Sequence, residues 1–159
     1  MNKHLLYLAL GSNLGDKQQN IGNAYKQIEK RIGEIISQSA FYITMPDGFQ
    51  SDNMFVNSVC AVHTELSLTS ILAITQRIEL ELGRDNKSRK NLYTDRIIDI
   101  DILIYDDLII NTPTLTVPHP RFHVRKFVME PFAEIAPDVR HPMKGKTIKK
   151  LCEELPKSI

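Results

Sequence analysis

The sequence contains no tryptophan and only two cysteines in 159 residues. Two cysteines cannot build a disulfide framework, and no CxxC or His/Cys spacing suited to zinc occurs, so the small stapled folds are excluded. Charge of one sign is also missing: 20 basic residues face 19 acidic ones, for a formal net charge of +1. Nothing pulls the whole chain toward nucleic acid or an anionic membrane, and any electrostatic function is local. No apolar run is long enough for a transmembrane helix. Leu5–Leu10 is shorter than the apolar region of about 7–15 residues in a signal peptide and runs into a turn, so it reads as a first strand and the cytoplasm is expected. Repeats, low-complexity tracts and linkers are absent, which predicts a single domain over residues 1–159. With 42% hydrophobic residues, such a chain buries about two-thirds of its unfolded surface.

What is present reads in order as strands and helices. After Leu5–Leu10, the turn "GSNLGD" ends in Asp16, a helix cap. Ile21, Ala24, Tyr25, Ile28 and Ile32 then recur at helical spacing between Lys17 and Ile32. Ile35–Thr44 reads as a second strand, "MPDGFQSDN" as a loop, and Phe55–Thr64 as a third strand. Ser67 opens a second helix whose stripe is Ile71, Leu72, Ile74, Ile78, Leu80 and Leu82, with Gly83 as its C′ residue. A polar, basic segment from Arg84 to Asp95 leads into another strand. The order β-α-β-β-α-β predicts an α+β fold with a ferredoxin-like core, an antiparallel sheet covered by helices. An added hairpin is expected around Asp106-Asp107, with an edge strand at Leu108–Ile110, and C-terminal helices over Arg125–Ala136 and after Thr147.

The strand "RIIDIDILIY" carries the chemistry. Alternation puts Ile98, Ile100, Ile102 and Ile104 on one unbroken apolar face and Asp99 with Asp101 on the other. Their backbone origins lie roughly 6.6 Å apart, two strand rises, close enough for unpaired carboxylates to repel in a low-dielectric site. Hard oxygen ligands without a soft neighbour suit Mg²⁺, which keeps waters and is completed by phosphates. The alternative is a solvent-exposed sheet face. Basic residues weigh against that alternative: Arg84, Lys87, Arg89 and Lys90 precede the strand, Arg96 opens it, and His119, Arg121, His123 and Arg125 follow in "VPHPRFHVR". Cations beside carboxylates are what polyphosphate chemistry requires. Singly, each could be a solvated surface charge.

The chain resembles the 6-hydroxymethyl-7,8-dihydropterin pyrophosphokinases, enzymes of folate biosynthesis. The resemblance runs nearly end to end through "ALGSNLGD", "FYITMPDGFQ", "FVNSV", "TQRIELELGR", "RIIDIDILIY", "LTVPHPRFHVRKFV" and "PFAEIAPD". It implies transfer of a pyrophosphoryl group from ATP to the pterin's hydroxymethyl group, with AMP as coproduct. By similarity, Asp99 and Asp101 hold two Mg²⁺ ions, and Arg84, Arg96, His119 and Arg125 bind phosphate oxygens; Arg84 and Arg96 join the two aspartates as catalytic residues. Gln76, Glu79, Ile102 and Thr116 lie beside the nucleotide, although Gln76 and Glu79 also read as an ordinary polar helix face. The resemblance also implies that Phe55 and Phe127 stack on the pterin, that Asn57 reads its edge with groups around Thr44 and Pro46, and that Tyr93 binds the pterin from the covering loop. Phe55 and Phe127 alone would read as core aromatics; Asn57 would not, since a buried amide needs partners. The chain departs from the family pattern at Met45-Pro46-Asp47, at Tyr93-Thr94-Asp95 and at Thr114. "GSNLG" lacks the P-loop lysine and the GxGxxG spacing and reads as a tight turn.

Two other classes fit parts of the pattern. A two-metal phosphoesterase or nuclease would use the same aspartates, but it has no use for Phe55 and Asn57. A ferredoxin-like RNA-binding or sensor domain would want aromatics and glycine on a central strand, which "FVNSVCAV" lacks. The partners expected are small molecules, ATP and the hydroxymethyl-dihydropterin, with no nucleic acid, no membrane and a monomeric chain.

Overall fold

The computed structural model describes residues 3–44, 54–83 and 96–156. At its centre lie β1 (His4–Ser12) and β4 (Phe55–Thr64), both buried over most of their length. They pair antiparallel, and the main sheet runs β2–β4–β1–β5, with β2 at Gly33–Gln38 and β5 at Asp99–Tyr105; β3 (Tyr42–Thr44) pairs with β4 beyond the end of β2. All these pairings are antiparallel. With α1 (Lys17–Arg31) and α2 (Leu68–Leu82) as the crossovers, this is the expected ferredoxin-like core.

Helices cover both faces of the sheet. On one side Leu6, Leu8, Leu10, Ile100 and Ile102 pack with Ile21 and Ile28 of α1 and Ile71 and Ile78 of α2. On the other, Tyr7, Ala9, Val59 and Leu103 meet Phe132 of α3 (Lys126–Ile135) and Leu151 of α4 (Ile148–Glu153). Central strands buried on both faces read as continuous apolar runs. The helix starts follow their caps: Asp16 Oδ1 accepts from Gln19 N at 3.2 Å, Ser67 Oγ from Ser70 N at 3.2 Å, and Thr147 Oγ1 from Lys150 N at 3.1 Å.

Several expectations are corrected. The second strand is broken at 39–41: the Ser39 N–H still donates to Val59 O at 2.9 Å, but the Val59 N–H donates to the Ser39 hydroxyl, which also bonds the buried Ser58 hydroxyl. Leu80 is 62% exposed, and the buried stripe of α2 is Leu68, Ile71, Thr75 and Ile78. Gly83 caps α2 with φ −105°, outside the left-handed region. Glycine is favoured there by space, since a Cβ would sit 3.0 Å from Glu79 O. No edge strand at Leu108–Ile110 joins the main sheet: β6 (Ile110–Asn111) pairs with β7 (Thr116–Val117) in a separate two-stranded sheet. Nor is the apolar face of β5 unbroken. A bulge leaves Leu103 as the extra residue between Ile102 and Ile104, so Leu103 and Ile104 both point to the α3 side and Tyr105 returns to the α1/α2 side. Among the described residues no helix is long and apolar enough to cross a membrane.

Candidate active site

Asp99 and Asp101 extend from the face of β5 that looks toward α3, opposite Gly11 and Ala9 of β1. Both line two clefts at once. The larger, of about 420 Å³, is walled by Gln76 and Glu79 of α2, Ile102 of β5, and Thr116 and His119 around β7. The smaller, of about 330 Å³, is walled by Thr44, Phe55, Asn57, Arg125 and Phe127. The carboxylate pair is the boundary between them.

Electrostatics at that boundary are unusual. Burial, then the neighbouring charge of Asp99, pushes the Asp101 carboxyl up to about 6, while Arg125 and Arg96 oppose the rise. The Glu79 carboxyl is pushed up to about 7, chiefly by burial, with the charges of Asp99 and Asp101 adding to it and the Ile100 N–H holding it back. Helix α2 thus brings a third carboxyl to the pair, but Glu79 Oε2 is engaged at 2.7 Å by Ile100 N. Among the described residues no set of three or more His, Cys, Asp or Glu side chains forms a metal cage. A divalent ion held by Asp99 and Asp101 must complete its shell with water and substrate oxygens, which fits the habit of Mg²⁺.

His119 enters the larger cleft on a segment pinned by its own N–H, which donates to Leu103 O at 2.9 Å. Its Nδ1 accepts from Arg121 N at 3.1 Å, so in the neutral ring the proton resides on Nε2. Burial and the Arg125 charge lower its pKa, against a smaller opposing pull from Asp99. These influences favour the neutral ring, whose Nδ1 accepts from Arg121 N and whose Nε2 is left to donate. Arg96 lies beside Gln76 and Glu79 in an adjoining hollow of about 250 Å³.

In the smaller cleft, Phe127 is 37% exposed and belongs to neither core. An aromatic ring left open at the mouth of a cleft is a platform and not core filling. Arg125 lies over it, 5.9 Å from guanidinium carbon to ring centroid. The resemblance placed Arg125 with the phosphate ligands; the fold sets its side chain against the aromatic slot, from which its charge still reaches Asp101 and His119. Asn57 is 8% exposed, and its Nδ2 is buried without a hydrogen-bond partner among the described residues. Such an orphaned donor costs about 1–3 kcal/mol unless a ligand satisfies it.

Sequence reasoning missed Gly11. It stands between Asn57 on β4 and Asp99 on β5, and a Cβ there would lie 2.8 Å from Asn57 Oδ1. The "GSN" motif carried that signal, but only the pairing across three strands discloses it. Arg84, Pro46 and Tyr93 lie outside the described residues.

A mixed sheet-and-helix fold with an acidic pair dividing an aromatic slot from a polar cleft defines a class: enzymes that join two small ligands across a carboxylate centre. A family model, 7,8-dihydro-6-hydroxymethylpterin-pyrophosphokinase, matches residues 7–137. The chain belongs to that family and is a pterin pyrophosphokinase of folate synthesis. It is 44% identical over 134 residues to 2-amino-4-hydroxy-6-hydroxymethyldihydropteridine pyrophosphokinase of Porphyromonas gingivalis, covering 84% of this chain and 91% of that one. To the Aquifex aeolicus protein of the same description it is 37% identical over 149 residues, covering 94% and 91%. To the folic acid synthesis protein of Dictyostelium discoideum it is 40% identical over 153 residues, covering 96% of this chain but only 23% of that longer protein. Among solved structures, the wild-type HPPK-DHPS of Plasmodium falciparum has the same fold, with a TM-score of 0.77 at 17% identity, over 96% of this chain and 45% of that one.

Proposed function

We propose that the larger cleft takes ATP, the smaller takes 6-hydroxymethyl-7,8-dihydropterin, and the pterin's hydroxymethyl oxygen attacks the β-phosphorus of ATP at the boundary. The new bond joins that oxygen to the β-phosphorus, and the hydroxyl proton that it replaces passes to solvent. The bond from the β-phosphorus to the bridging oxygen of the α-phosphate breaks, and AMP leaves with that oxygen. The observation that carries this reading is that Asp99 and Asp101 line both clefts.

The donor set fits two Mg²⁺ ions on Asp99 and Asp101, which when bound would neutralise phosphate charge and align the reacting oxygens. The chain's own groups do the rest. Phe55 and Phe127 sandwich the flat heterocycle, and Asn57 Nδ2 finds in the pterin's edge the acceptor it otherwise lacks. His119 donates from Nε2, and Arg96 and Arg125 supply fixed positive charge to the phosphates. Gln76, Glu79, Ile102 and Thr116 shape the nucleotide side, and by the resemblance Arg84 is a phosphate ligand and Pro46 and Tyr93 are pterin ligands. The proposal includes a monomer in the cytoplasm; Cys60 and Cys152 carry no disulfide, as a reducing compartment requires.

A coupled assay for AMP, run with and without hydroxymethyl-dihydropterin, tests the reading. AMP formation that depends strictly on the pterin supports it. Phosphate release from ATP or nucleic acid without a pterin would make the protein a phosphoesterase instead.

A further inference from the structure

Asn13 is wholly buried. The ladder between β1 and β5 pairs Ala9 with Asp101 and Gly11 with Asp99, so unbroken alternation would set Asn13 opposite Ile97. Instead, Asn13 N donates to Arg96 O at 3.0 Å, and Arg96 N donates to Asn13 Oδ1 at 2.6 Å. The carboxamide oxygen stands in for the main-chain carbonyl of a regular ladder, and the register slips by one residue.

A slip of one residue reverses which face a side chain occupies. Without it, Arg96 would share the apolar face of Ile98, Ile100 and Ile102, where its charge would be buried among isoleucines. With it, Ile97 and Ile98 both pack against the α1/α2 core. Arg96 is exposed and close enough for its charge to act on Asp101. The turn that presents Asn13 is fixed on both sides, because Asn20 Nδ2 donates to Ser12 Oγ at 3.2 Å and to Leu14 O at 2.8 Å.

We propose that Asn13 is a positioning residue whose carboxamide holds the Arg96 main chain one residue out of register and so presents the Arg96 guanidinium to the phosphate side of the carboxylate pair. This rests on the reading of Arg96 as a phosphate-binding group. Asn13 acts through Arg96 and touches neither substrate.

The test combines a double-mutant cycle with hydrogen exchange on the full chain. Asn13→Ala should lower kcat about tenfold, the scale of one lost buried hydrogen bond. Pterin affinity should stay within about twofold. The same substitution in an Arg96→Ala background should cause no further loss. The Arg96 amide should exchange slowly in the parent, rapidly in Asn13→Ala, and slowly again in Asn13→Asp, which keeps an acceptor oxygen. Equal kcat losses in both backgrounds, or unchanged exchange at Arg96, overturn the proposal. If Arg96→Ala alone leaves turnover intact, it is the phosphate reading of Arg96 that fails, and the exchange measurement then decides the clamp. Should Asn13→Ala not fold, Asn13→Ser, whose hydroxyl is too short to reach the Arg96 N–H, replaces it in every arm.

Discussion

Glu79 Oε2 accepts the backbone N–H of Ile100 at 2.7 Å, so a side chain from α2 covers the outer edge of β5 between the two aspartates. The bond satisfies a main-chain donor that an edge strand would leave to solvent. It also draws a third carboxyl into a buried acidic group, where its pKa rises to about 7.

The pH dependence of stability follows from that crowding. Asp101 and Glu79 titrate near 6 and 7 in the folded chain, above ordinary carboxyls at 3.8 and 4.5. Between those ranges the folded state binds more protons than the unfolded one, so their contribution is full at low pH and is lost as pH rises through about 6 and then about 7. Thermal melts in EDTA should show Tm falling between about pH 4 and pH 7 and levelling above that, and Glu79→Gln should flatten that fall.

Asp101→Asn removes a charge that the fold accommodates only at a cost. Turnover should drop roughly 100- to 1000-fold, while the Tm of the metal-free protein at neutral pH should hold or rise. Asp99→Asn should lose activity to the same degree. Near-normal turnover in either variant would remove the two aspartates from the chemistry.

Asn57→Ala deletes the orphaned Nδ2 donor and its carbonyl partner together. Pterin Kd should rise about 10- to 100-fold, with nucleotide Kd within about twofold. Isothermal titration with each ligand separately measures the split, and equal loss of both affinities would contradict the division into two clefts.

Gly11→Ala reaches the same carboxamide from below. The added Cβ, 2.8 Å from Asn57 Oδ1, must push the side chain from its place, because the β1 backbone is pinned between β4 and β5. Pterin affinity should fall about tenfold, with smaller effects on ATP. A crystal structure of the variant should show Asn57 displaced.

Much of the fold was legible because local signals agreed with tertiary demand. Asp16, Ser67 and Thr147 cap helices by bonds that span three residues, and Phe55–Thr64 is a strand with the bounds its composition indicated. The misses have a common cause. The break at 39–41 accompanies a bond to Ser58 on another strand, the bulge at Leu103 falls opposite the Tyr7–Leu8 step of β1, and the exposure of Leu80 reflects where α2 rests on the sheet. Each is fixed by a partner distant in sequence, which periodicity cannot register.

Alternation along "DIDIL" alone determined that Asp99 and Asp101 share one face, because side-chain direction in a strand is a local property of the backbone. The motifs around it identified the chemistry. Only tertiary structure decided that those aspartates divide two clefts, that Glu79 joins them, that Arg125 lies against Phe127, and that Asn13 shifts Arg96 by one residue. Those relations bring together β1, β4, β5, α2 and the start of α3, and hydrogen bonds and burial across such separations exist only once the chain has packed.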